Sequence, residues 1–187
     1  MRIVGGERRG LKLAEVGAGD PAARLRPTSD RVREAIFNLL MNGPYGNPVA
    51  GARVLDLFAG TGALGLEALS RGAARVVFVE DGAAARALIR RNIELMRAMG
   101  VTDLYRRDAT ALGPNRGAPF GLVFLDPPYG RGLGERALAS ARAGGWIAPG
   151  AVVVWEEGGP VTPPEGFARA DERRYGDTVV TILRAAA

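Results

Sequence analysis

Apolar residues along this chain follow two rhythms. Short runs at 54–57, 76–79, 122–125 and 152–155 are separated by longer stretches with helical spacing, as expected of strands buried on both faces of a parallel sheet. Upstream, Val32, Ala35, Ile36, Leu39 and Leu40 recur at i, i+3, i+4, i+7 and i+8 behind Thr28, Ser29 and Asp30. That spacing predicts a capped amphipathic helix, broken by the segment 43–51 with Pro44 and Pro48. A further helix is expected over 83–99, with Leu88, Ile89, Met96 and Met99 inward and Gly100 as its stop, and then a weaker strand near 104–107. Strand candidates near 168–174 and 178–183, joined by Tyr175-Gly176-Asp177, predict a hairpin that adds an antiparallel strand. At the other end, 2–4 and 11–13 flank a Gly-rich tip carrying Arg8 and Arg9, a short hairpin free to project from the main body. A Gly-, Ala- and Pro-rich loop then runs to Pro27. The pattern predicts an α/β fold, a doubly wound domain with an N-terminal extension.

With 187 residues and 47% hydrophobic content, one core is expected, burying roughly 70% of the extended-chain surface. Cys and His are both absent. Disulfides, thiolate nucleophiles, imidazole bases and serine–histidine triads are thereby excluded, and no metal is expected. Chemistry is left to carboxylates, backbone groups, Arg, Tyr or a cofactor. Neither a signal peptide nor an apolar run long enough to span a membrane is evident, so a cytoplasmic location is expected. The formal net charge is +5, yet 24 of the 25 basic residues are Arg, which points to a compositional bias. Distribution is more informative: residues 1–33 hold eight basic and four acidic residues, against 17 and 16 in the rest. The excess positive charge at this end favours an acidic partner.

The most informative stretch is Val54-Leu55-Asp56-Leu57-Phe58-Ala59-Gly60-Thr61-Gly62-Ala63-Leu64-Gly65, a strand entering a glycine turn and then a helix. Its G-x-G-x-x-G match is weak alone, because tight strand-to-helix turns need glycine for steric reasons. Glu80 ends the next strand, where a carboxylate can accept both hydroxyls of a ribose. Those features suit a nicotinamide dinucleotide and S-adenosylmethionine alike, and electrostatics separates the two. A pyrophosphate wants helix N–H groups with no anion nearby, whereas a sulfonium and an ammonium want carboxylates. Asp56 sits in an otherwise apolar strand end, where an unpaired charge is costly. It calls for a cationic partner, or else caps a helix or pairs with an Arg. Asp108 follows the weak strand, from which it and the next N–H could read an adenine; a turn-forming role is the plainer alternative.

Asp126-Pro127-Pro128-Tyr129 follows the apolar strand Gly121-Leu122-Val123-Phe124-Leu125 and is the sharpest motif in the chain. Two prolines fix their φ angles and hold the preceding residue extended, so the Asp126 carboxylate and the Pro127 carbonyl form a rigid acceptor pair. Such a pair suits the two hydrogens of an exocyclic amine, with Tyr129 as a flat surface against the base. A nucleobase amine keeps its lone pair in the ring. Holding both N–H bonds favours a pyramidal nitrogen that can face a methyl donor, and correct placement of the reactants can supply roughly 7–11 kcal/mol.

These residues resemble class I methyltransferases acting on amino nitrogens. More narrowly, Arg2-Ile3-Val4-Gly5-Gly6 with Arg8-Arg9-Gly10, the stretch from Leu25 to Glu34, and Tyr175-Gly176-Asp177-Thr178 resemble the 16S ribosomal RNA (guanine(966)-N2)-methyltransferase family over essentially the whole chain. The resemblance implies a Rossmann-like class I methyltransferase fold: a seven-stranded, mostly parallel, doubly wound sheet with an antiparallel C-terminal strand and an N-terminal β-hairpin extension. It divides the chain into an RNA-facing basic extension, 1–27, and a methyltransferase domain, 28–187. It implies S-adenosylmethionine as cofactor, contacted by Asp56, Phe58, Gly60, Thr61, Gly62, Glu80, Asp81, Asp108 and Ala109, and Asp126, Pro127, Pro128 and Tyr129 around the reacting base. Arg8, Arg9, Lys12, Arg24, Arg26, Arg31 and Arg33 become candidate phosphate contacts. The implied partner is 16S ribosomal RNA or the assembling small subunit, bound by a monomer. Adenine-N6 methylation of DNA or RNA is the nearest alternative. A nicotinamide-dependent oxidoreductase is disfavoured by Asp56, and a non-catalytic assembly factor by the intact Asp126–Tyr129 motif.

Overall fold

The computed structural model describes residues 1–15 and 28–187. Strands β1 (Arg53–Leu57), β2 (Arg75–Val79), β3 (Thr102–Tyr105), β4 (Phe120–Leu125), β5 (Ile147–Glu157), β6 (Phe167–Tyr175) and β7 (Thr178–Ala185) form one sheet in the order β3-β2-β1-β4-β5-β7-β6. The first five pair in parallel, and β7 enters antiparallel between β5 and β6. The chain works outward from β1 to β3 and then returns to β4 on the opposite side of β1. The β1/β4 junction is therefore the switch point at which doubly wound sheets open a crevice.

Among the described residues four α-helices cover the sheet: α1 (Asp30–Asn42), α2 (Ala63–Ser70), α3 (Ala83–Leu95) and α4 (Leu133–Ala143). One face packs Phe37 and Leu40 of α1, Leu66 of α2 and Ile89 and Ile93 of α3 against Val54, Phe78 and Phe124. The other buries Ala137, Leu138 and Ala141 of α4 with Trp146 and Trp155. Burying a Phe or Leu completely contributes about 1.5–3 kcal/mol each, so these two layers hold the strand ends in place. Ser29 caps α1, its Oγ accepting from Val32 N at 3.2 Å.

The hairpin does not project. Arg2 and Lys12 bridge its arms, Ile3 and Leu13 are buried in the same core as α1 and α2, and its turn is bonded to α2. Glu7 N donates to Ser70 O at 2.8 Å, and Arg8 N to Ser70 Oγ at 2.9 Å. Two boundaries also differ from expectation. Helix α3 stops at Leu95 and is followed by a single 3₁₀ turn at Met99–Val101, which leaves Met99 69% exposed. Arg97 takes the left-handed φ of 53°, while Ala98 N donates to Ile93 O and Arg97 N to Glu94 O. This Schellman closure has Arg where glycine is usual. Strand β3 ends at Tyr105, two residues earlier than expected.

Arg33 also departs from expectation. It is fully buried, with Nε donating to Glu67 at 3.1 Å, Nη1 to Thr28 O at 3.2 Å and Nη2 to Asp30 at 2.8 Å and to Arg2 O. Glu67, itself fully buried, also accepts from Val4 N, Gly5 N and Arg71 Nε. The guanidinium is enclosed in a junction of hairpin, α1 and α2 and cannot reach a phosphate. Arg8, Arg9, Lys12 and Arg31 are exposed, while Arg24 and Arg26 lie outside the described residues.

Candidate active site

A cavity of about 470 Å³ opens at the carboxyl ends of β1, β2 and β4, lined by Asp56, Phe58, Gly60, Thr61, Glu80, Asp81, Asp126, Pro127, Pro128 and Tyr129, with Thr28, Ala59, Ala63 and Leu64. Two motifs some 65 residues apart in sequence thus share one space, because β1 and β4 are adjacent and end at the same level, Leu57 opposite Leu125. Gly62, Asp108 and Ala109 are not in the lining. Asp108 is exposed and accepts from Thr110 N and Oγ1 at 2.8 and 2.7 Å, the geometry of a turn former.

The β1–α2 turn is sterically specified. Phe58, Gly60 and Gly62 have φ of 55°, 60° and 81°; the last two suit glycine, and Phe58 holds a left-handed conformation that costs about 1–3 kcal/mol. At Gly65 a Cβ would lie 2.5 Å from the Phe78 ring and 2.8 Å from Val76 Cγ1. The third glycine is therefore a close-packing requirement between α2 and β2. Asp56, 1% exposed, caps α2 across the turn, its Oδ2 accepting from Gly65 N at 3.0 Å. Glu80 accepts from Gly60 N at 2.9 Å and from Gly82 N at 2.8 Å, which fixes the plane of its carboxylate.

The loop after β4 is tied down from β5 and β7. Gly130 N donates to Glu157 Oε1 at 3.0 Å, the Tyr129 hydroxyl bonds Thr178 Oγ1 at 3.2 Å, and the Tyr129 ring lies against Gly158, where a Cβ would stand 3.1 Å from it. The site is acidic throughout. Burial pushes Asp56 well above the usual carboxylate range, opposed by the Gly65 N–H and reinforced by Glu80 and Glu156. Burial likewise raises Asp126 well above it, reinforced by Glu156, Asp56 and Glu157. Glu80 is raised mainly by burial, against the pull of its two backbone donors. Among the described residues neither Asp56 nor Asp126 has a cation paired to it. A cluster of carboxylates, buried at Asp56 and half-buried at Glu80 and Asp126, with no cation paired to Asp56 or Asp126, fits a cationic ligand and opposes a pyrophosphate.

Glu156 and Thr28 were not recognised from sequence. Glu156 is 3% exposed and follows Trp155, which is paired with Leu125, so it emerges beside Asp126. Burial raises it to about 7, opposed by the Thr28 hydroxyl bond and by Arg33. A carboxylate ending a buried apolar strand is the signal that singled out Asp56 and Asp126, and it was present at Glu156 too. In sequence Thr28 is one of three candidate helix caps, whereas in the fold its hydroxyl donates to Glu156 Oε1 at 2.8 Å.

Strand order, switch-point cavity and acidic glycine turn together define the Rossmann-like class I methyltransferase fold. The family model described as Conserved hypothetical protein 95 matches residues 1–184. Ribosomal RNA small subunit methyltransferase D of Escherichia coli K12 is 37% identical over 188 residues, covering 98% of this chain and 89% of that protein. Its namesake from Haemophilus influenzae is 33% identical over 181 residues, covering 94% and 89%. The solved structure of yhhF from Escherichia coli, 35% identical, covers 100% of this chain and 98% of that one with a TM-score of 0.84. The chain belongs to this family, that of the small-subunit ribosomal RNA methyltransferase D proteins, among the class I S-adenosylmethionine-dependent methyltransferases. No helix among the described residues is long and apolar enough to cross a membrane.

Proposed function

We propose that this chain methylates the exocyclic N2 of a guanine in 16S ribosomal RNA, acting on the RNA or on an assembling small subunit in the cytoplasm. The observation that carries the reading is the single cavity shared by the Asp56–Glu80 carboxylates and the Asp126–Tyr129 motif. S-adenosylmethionine, when bound, supplies a methyl group on a cationic sulfur. Asp56, Phe58, Gly60, Thr61, Glu80 and Asp81 are the residues that would hold it, the buried Asp56 and the half-buried Glu80 offering the negative charge that a sulfonium and an ammonium require. Gly62 acts by shaping the turn, and Asp108 and Ala109 remain candidates for the adenine end.

Asp126 and the Pro127 carbonyl accept the two N–H bonds of the target amine and turn its lone pair toward the methyl donor, while Tyr129 lies beside the base. As the nitrogen gains its methyl group it sheds one proton, to Asp126 or through it to water. The raised proton affinity of Asp126 suits that step, since a stronger base takes the proton more readily. Guanine N2 lies on the pairing edge, so the base must leave its stack to enter. Guanine is favoured over adenine because its N1–H stands beside the amine and is a further donor toward an acceptor-rich site, where adenine has a bare N1. Arg8, Arg9, Lys12, Arg24 and Arg26 would make the phosphate contacts of an RNA-facing segment, 1–27, joined by Arg31 at the start of the methyltransferase domain, 28–187. Asp126→Ala should abolish most turnover while binding of S-adenosylmethionine, measured by calorimetry, stays near wild type. Full turnover in Asp126→Ala would refute the assignment.

A further inference from the structure

We infer that Thr28 reads the target base as a hydrogen-bond acceptor, its polarity set by Glu156. The inference rests on guanine being the base that enters the cavity. Thr28 lines the cavity with Asp126 and Tyr129, and it is immobilised from two sides. Its hydroxyl donates to Glu156 Oε1 at 2.8 Å, and its carbonyl accepts from Arg33 Nη1 at 3.2 Å. Arg33 is in turn anchored on the fully buried Glu67, so the Thr28 backbone is fixed to the core.

A hydroxyl has one proton and two lone pairs. Above about pH 7, where Glu156 is ionised and can only accept, the Thr28 proton is committed to it, and Thr28 presents lone pairs and no donor to whatever faces it. The Watson–Crick edge of guanine carries donors at N1 and N2. Adenine carries a bare N1 acceptor there, which would face the Thr28 lone pairs without a proton between them. Glu156 thus acts through Thr28 as a positioning residue, and the pair discriminates by leaving the wrong base with unpaired polar atoms, the strongest form of rejection open to a small site. Asp126 holds the amine, and Thr28 tests the atom next to it.

The test uses small-subunit particles carrying either guanine or 2-aminopurine at the methylated position. Both bases bear the 2-amine, but 2-aminopurine has a bare N1. Wild type should favour guanine in kcat/KM by roughly tenfold to a hundredfold, the worth of one hydrogen bond of this kind. Thr28→Val should bring guanine down to near the 2-aminopurine level, and Glu156→Leu, which takes away the acceptor of the Thr28 proton, should narrow the ratio in the same direction, whereas Glu156→Gln, whose amide oxygen still accepts that proton, and Thr28→Ser should keep the preference. If Thr28→Val lowers both substrates together, or raises only the KM for S-adenosylmethionine, the inference is overturned and Thr28 is a structural or cofactor residue. Nucleoside analysis of the wild-type product separates this from failure of the base assignment itself, since methyl on an adenine amine overturns both.

Discussion

Replacing Glu156 with Gln should stabilise the protein at neutral and higher pH, although it removes a buried carboxylate that accepts a hydrogen bond. Glu156 is 3% exposed, and burial holds its proton affinity at about 7 against an ordinary 4.5. Between those values the folded state binds more protons at this site than the unfolded chain does. Stability contributed by the site is therefore complete below pH 4.5 and is lost as the pH rises to about 7. At about 1.4 kcal/mol per pH decade the loss is about 3 kcal/mol. Gln is neutral at every pH and can still accept from the Thr28 hydroxyl, so it avoids the loss. It also removes a charge that raises Asp126 and Asp56, an effect of the same sign. Thermal unfolding of cofactor-free wild type and Glu156→Gln should agree closely near pH 4.5 and diverge above it. At about 2–4 °C per kcal/mol for a domain of this size, the variant should melt about 6–12 °C higher by about pH 8. A pH-independent offset, or a wild type that is the more stable protein at high pH, would refute the argument.

Arg33→Met should destabilise the fold by about 3–5 kcal/mol, because it leaves Glu67 buried with one cation fewer; urea unfolding checks this, and a loss under about 1 kcal/mol would contradict it. Arg8→Ala with Arg9→Ala should leave the melting temperature unchanged. It should reduce the log-log salt dependence of RNA binding by roughly one unit for each phosphate that is no longer neutralised, and an unchanged slope would remove the hairpin turn from the RNA interface.

The strands, the glycine turn and the Asp126–Tyr129 motif were legible because each is a local pattern. A buried parallel strand is an unbroken apolar run, and a proline pair constrains its own backbone wherever it occurs. The antiparallel terminal strand was legible through the turn at Tyr175-Gly176-Asp177. Features that depend on a partner distant in sequence were hidden. Arg33 reads as one more basic residue at the end of a basic segment, and only the meeting of α1 with Glu67 of α2 turns it inward. The hairpin looks free because the acceptors on α2 that hold its backbone lie more than sixty residues away. The pairing of Thr28 with Glu156 spans 128 residues and has no local signature at the Thr28 end. The early end of α3 was missed for a different reason. Its left-handed closing residue is Arg97, and sequence reasoning looks for glycine there.

In the proposed reaction one cavity brings a cationic methyl donor to an amine held by Asp126. Incubating the protein with labelled S-adenosylmethionine and small-subunit particles lacking the modification, then digesting the RNA to nucleosides, tests it most directly. Label is expected in N2-methylguanosine at a single position, with most of it lost when Asp126→Ala replaces the wild type. Label in N6-methyladenosine, or equal labelling by the Asp126 variant, would contradict it.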